Sequence, residues 1–152
     1  MVFGDIIYEG KGKAVINRIV EGGDGIITPK IEMTLHGQGS YRGVPTTEIW
    51  TFITHIKNDD SSFNEGQGII FTMDKFNRDM VVVSGRGVGK NINDGDMVYH
   101  GHRRIKDIVV VFSVRNMTGR HPLGFLHNML GLNEFTLNEE TMEYTNKLIE
   151  WK

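Results

Sequence analysis

The stretch Asp94–Arg104, DGDMVYHGHRR, places His100 and His102 two residues apart in a run that alternates like a β-strand. Side chains at i and i+2 of a strand share a face. Two neutral imidazoles so placed form a half-site for zinc, iron or copper. Asp107 supplies a carboxylate a few residues on, and His127, in His121–His127 (HPLGFLH), supplies a third imidazole. The plainer reading of the same stretch is a solvated strand face, His100, His102 and Arg104 alternating with Gly101, Arg103 and Ile105.

A second kind of chemistry is proton transfer to a small organic molecule. Glu9, Glu32, Glu48 and Glu65 lie within or beside strand-like runs. A carboxyl aimed into an apolar interior has its pKa raised and can act as a general acid or base. Glu32 and Glu48 each interrupt a strongly apolar strand, and with Tyr99 they are the candidates to move a proton. Alternation argues against Glu32, because the set Ile31, Met33 and Leu35 faces in and sends Glu32 out with Thr34 and His36. Met33, Trp50, Phe52, Phe71 and Phe112 are the expected lining of an apolar binding site. No GxSxG elbow supports a serine nucleophile.

The elements that must hold these residues are strands. Alternating runs cover 5–20, 31–36, 49–56, 66–72, 80–90, 97–105 and 108–116, with a closing hairpin at 134–138 and 142–151. Turn formers separate them: GGDG at 22–25, NDDSS at 58–62, DKFNRD at 74–79 and NINDGD at 91–96. About eight to nine strands at such spacing imply a single antiparallel β-barrel over residues 1–152. One short helical turn is expected in 121–131, with Pro122 early and Gly131 as the stop.

Glycine supports that architecture. The chain holds 19 glycines against 3 prolines, and Gly10/Gly12, Gly37/Gly39, Gly66/Gly68, Gly85/Gly87 and Gly87/Gly89 each form a GxG inside a strand. No helix follows any of them, so they are not dinucleotide fingerprints. Glycines on one face of a strand instead make room where strands coil tightly or bulky side chains cross a barrel.

Bulk numbers narrow the partners. With 17 Lys+Arg against 19 Asp+Glu the chain has no basic footprint for nucleic acid. It has no cysteine, hence no disulfide, thiolate metal site or cysteine nucleophile. No apolar run approaches the ~18 residues that span a bilayer, and the N-terminus does not read as a signal peptide. A cytoplasmic protein is expected, without nucleic-acid or membrane partners.

The segments YEGKGKA (8–14), PKIEMTLHGQGSYRGV (29–44), EGQGIIFTMD (65–74), VSGRGVGK (83–90) and the ending IEWK resemble a family of small, mostly uncharacterised archaeal and bacterial proteins with an expected β-barrel. More distantly the chain resembles allene-oxide-cyclase-like and lipocalin-like barrels. That resemblance implies an enclosed apolar cavity and transfers no catalytic residue. The histidine set also follows part of the cupin pattern through Gly95, His100, His102, Asp107 and His127. It departs where Gly95 lies one residue too close, where Asp107 replaces glutamate, and where Asn116 replaces glycine. The sequence thus points first to a barrel that binds a small, largely apolar molecule or converts it as a cofactor-independent cyclase or isomerase. A metal-dependent cupin-like enzyme and a non-catalytic homo-oligomeric scaffold are the rivals.

Overall fold

A computed structural model describes residues 3–21, 30–56, 61–72, 80–92, 102–115 and 123–151. Eight strands among them, β1 (Phe3–Glu21), β2 (Lys30–Tyr41), β3 (Val44–Ile56), β4 (Ser61–Thr72), β5 (Met80–Asn91), β6 (His102–Arg115), β7 (Leu130–Asn138) and β8 (Glu143–Trp151), form a closed up-and-down barrel. Each strand pairs antiparallel with its sequence neighbour, and β8 returns to β1 through pairs such as Gly10↔Asn146. Closure leaves no edge strand among the described residues. Register irregularities between Ile6 and Tyr8, Ile16 and Arg18, and Ile19 and Glu21 bend the 19-residue β1.

The expected fold class is the observed one, with two differences in detail. Residues 102–105 and 108–115 belong to one strand, because Lys106-Asp107 between them is a polar pair without turn chemistry and the ladder to β7 runs through it; residues 97–101 and 116 lie outside the described residues. The helical turn near the C-terminus is a single 3-10 turn, Gly124–Leu126, with no side-chain cap. No helix among the described residues is long and apolar enough to cross a membrane.

Phase along each strand decides what faces the interior. Ala14, Leu35, Leu137 and Tyr144 are buried in one cluster, against which Met33, Trp50, Phe52 and Phe135 pack. Ile7, Tyr8, Tyr41, Ile70, Val81, Leu123, Leu126 and Met129 belong to the second cluster, at the barrel end where β6 leads to β7. The β2–β3 hairpin closes the same end with a two-residue turn, Arg42-Gly43, both at positive φ (46° and 83°), as the right-handed twist of a hairpin favours. From it the Arg42 guanidinium lies 4.2 Å from the Phe125 ring centre and 3.2 Å from Glu150.

The GxG pairs are beds for rings. Gly10 pairs with Gly39 and Gly12 with Gly37, so β1 and β2 share an inner surface without side chains. The Tyr8 ring lies across Gly39, and the Tyr144 hydroxyl across Gly37. In β4, Gly66 and Gly68 lie under Phe52 and Trp50, their partners in β3. At Gly12 a Cβ would overlap the His36 carbonyl oxygen and come within 2.6 Å of the Gly37 Cα, both backbone. Gly12→Ala should therefore lower the unfolding free energy by about 1–3 kcal/mol, against less than about 0.5 kcal/mol for Lys11→Ala on the outer face of the same strand. Denaturant titration of both variants checks this, and equal small losses would contradict the close approach.

Candidate functional site

In β3 the inward phase reads Thr46, Glu48, Trp50, Phe52, Thr54. Glu48, a carboxyl in a ring of apolar neighbours, is only 3% exposed. Burial of a carboxylate is costly unless donors surround it, and three converge here. Tyr8 Oη donates to Oε1. Tyr41 Oη and Trp50 Nε1 donate to Oε2 at 3.0 and 2.8 Å. The donors come from β1, β2 and β3, and the Tyr8 and Tyr41 rings stack with centres 4.3 Å apart. Loss of water pushes the Glu48 pKa up to about 7, with the Trp50 hydrogen bond acting in the opposite direction. Burial likewise raises the Tyr41 phenol, and burial together with the Glu48 charge raises that of Tyr144.

These groups line a lumen of about 440 Å³, within the ~300–1,000 Å³ range of small-molecule pockets. Met33, Leu35, Phe135, Leu137 and Leu148 share the wall with Trp50 and Phe52. Trp50 and Phe52 stack at 5.5 Å with planes 9° apart. Gly85 and Gly87 of β5 contribute wall without side chains.

Of the residues nominated by sequence, Met33, Trp50 and Phe52 line the lumen and Glu48 sits within it. Two nominations are corrected, Glu32 in the direction that alternation along β2 predicts and Phe71 against expectation. Glu32 lies on the outer wall, where Asn17 and Arg18 both donate to it at 3.1 Å and hold its pKa below the ordinary value. Phe71 also faces outward, between the buried Ile70 and Thr72, because the inward phase of β4 falls on even numbers. Glu9 and Glu65 are exposed, Glu65 paired with Arg86 at 3.1 Å. Phe112 is placed in β6 by its backbone alone.

Among the described residues the histidine set is not brought together. Tyr99 and His100 lie outside the described residues, and His102 and Asp107 are placed by backbone only. His102 pairs with Asn138 at the last residue of β7, whereas His127 precedes the first, Leu130. At ~3.3 Å per residue those ends are roughly 25 Å apart. Among the described residues no group of three or more His, Cys, Asp or Glu could hold a metal ion.

Sequence reasoning did not assign roles to Tyr144 and Asn146. The signal was the mixed face Tyr144, Asn146, Leu148 in β8, which is polar because it meets the Glu48 level of the lumen. Glu48 itself was hard to single out because both faces of β3 carry large apolar residues, Trp50 and Phe52 inside, Ile49 and Ile53 outside.

No family model matches the chain, and no curated protein matches it either. Two solved structures share its fold end to end. A conserved protein of unknown function from Rhodopseudomonas palustris superposes with a TM-score of 0.65 at 10% identity, covering 99% of this chain and 98% of that one. A protein of unknown function from Clostridium acetobutylicum gives 0.65 at 13% identity, with both chains covered fully. At such identities the likeness is one of fold.

An acid with its folded pKa raised binds its proton more tightly folded than unfolded, so its contribution to stability is present at low pH and is lost as pH rises. For Glu48 the window runs from the ordinary 4.5 to about 7, worth roughly 3 kcal/mol. The unfolding free energy of the native protein should fall relative to that of Glu48→Gln between pH 4.5 and 7.5. Denaturant unfolding of both proteins across that range measures it, and a constant difference would contradict the burial argument.

Proposed function

We propose that the protein binds a small, largely apolar molecule inside the barrel. The observation that carries the reading is the lumen of about 440 Å³, walled by aromatic and aliphatic side chains around the buried Glu48 carboxyl. A barrel of eight strands is wide enough to be packed solid or to hold one small ligand. Here Gly85 and Gly87 of β5, which line the lumen without side chains, favour the second outcome. Apolar surface gives affinity, while the polar groups at the Glu48 level orient the guest.

The position of Glu48 favours one elaboration of this reading. A carboxyl with its pKa pushed to about 7 by burial is poised to give or take a proton near neutral pH. The barrel is then a cofactor-independent isomerase or cyclase, in which the wall excludes water and Glu48 moves the proton. Either way the guest occupies the same space.

A neutral probe tests occupancy. N-phenyl-1-naphthylamine should gain fluorescence on mixing with the protein, and Met33→Trp, which fills the lumen, should weaken its binding at least tenfold while circular dichroism remains that of the barrel. Absence of a fluorescence gain with the native protein, or unchanged affinity in a folded Met33→Trp, would sink the proposal.

A further inference from the structure

Tyr144 and Asn146 lie at i and i+2 of β8, so both side chains project into the lumen they help to line. Tyr144 is 3% exposed, and neither its hydroxyl nor the Asn146 Oδ1, both buried, has a hydrogen-bond partner among the described residues. Their neighbours explain this. Across β1 they face Gly12 and Gly10, which have no side chains to offer, and across β7 they face Leu137 and Phe135, which have no polar atoms. Glu48 is different, since Tyr8, Tyr41 and Trp50 already donate to it. A buried polar atom without a partner costs about 1–3 kcal/mol, so two of them on one face of an apolar lumen are an incomplete recognition site.

What completes it must accept from a phenol and donate to an amide oxygen. A hydroxyl group does both with one oxygen. The surrounding surfaces are flat: Tyr144 stacks on Phe135 with ring centres 5.5 Å apart, and Trp50 on Phe52 at the same distance. The Glu48 carboxyl in the same lumen disfavours an anionic guest. We infer that the lumen takes a flat, uncharged aromatic molecule bearing a hydroxyl group, its oxygen accepting from Tyr144 and its proton donated to Asn146 Oδ1. The assignment rests on the lumen-binding reading and names the ligand class for that site.

Three probes of matched shape test it by equilibrium dialysis at pH 7. 2-Naphthol can donate and accept, 2-methoxynaphthalene can only accept, and 2-methylnaphthalene can do neither. The native protein should bind 2-naphthol about tenfold more tightly than 2-methoxynaphthalene, one hydrogen bond's worth. Asn146→Leu should reduce that preference to about threefold or less while retaining 2-methylnaphthalene, and Tyr144→Phe should abolish the preference for 2-methoxynaphthalene over 2-methylnaphthalene. Equal affinity of the native protein for all three overturns the hydroxyl assignment and leaves lumen binding standing. Failure to bind any of them overturns both. The native series decides between these outcomes even if a variant does not fold.

Discussion

One buried carboxyl sets the terms for this barrel. Glu48 is enclosed where a charge is expensive, and the structure meets the cost with three donors drawn from adjacent strands. Those donors require β1, β2 and β3 to keep their register, since a slip of one residue would turn Tyr8, Tyr41 and Trp50 to the outer wall. The same enclosure raises the Glu48 pKa to about 7. Position, fold and chemistry are therefore linked through one side chain.

The glycines are the other half of that link. A ring cannot lie flat across a neighbouring strand that carries side chains on the same face, so Gly39 for Tyr8, Gly37 for Tyr144 and Gly68 for Trp50 are conditions of the aromatic arrangement. Where glycine continues into β5, Gly85 and Gly87 form part of the lumen wall.

Period-two alternation and the in-strand GxG pairs made the barrel legible from sequence, because both follow from a pleated wall whose two faces meet different surroundings. The inward aromatics Trp50 and Phe52 and the outward turn of Glu32 were legible for the same reason. Phe71 was not, since hydrophobicity alone does not give the phase of β4, where Ile69 and Ile70 face opposite ways. The convergence of Glu48 with Tyr8, Tyr41 and Tyr144 was beyond sequence because it depends on which strands meet around the closed sheet. The histidines show the converse, where a suggestive spacing meets a register that sends His102 and His127 to opposite ends of β7.

A dry, ligand-sized lumen built around Glu48 is the central claim, and the carboxyl itself reports on it. Titration of the Glu48 carboxyl by carbon-13 NMR, its resonance assigned through Glu48→Gln, reads its environment directly. A midpoint near 7, moving when a neutral aromatic guest is added, is the predicted result. A midpoint near the ordinary 4.5, insensitive to any guest, would mean that water reaches the carboxyl freely, and it would contradict the account.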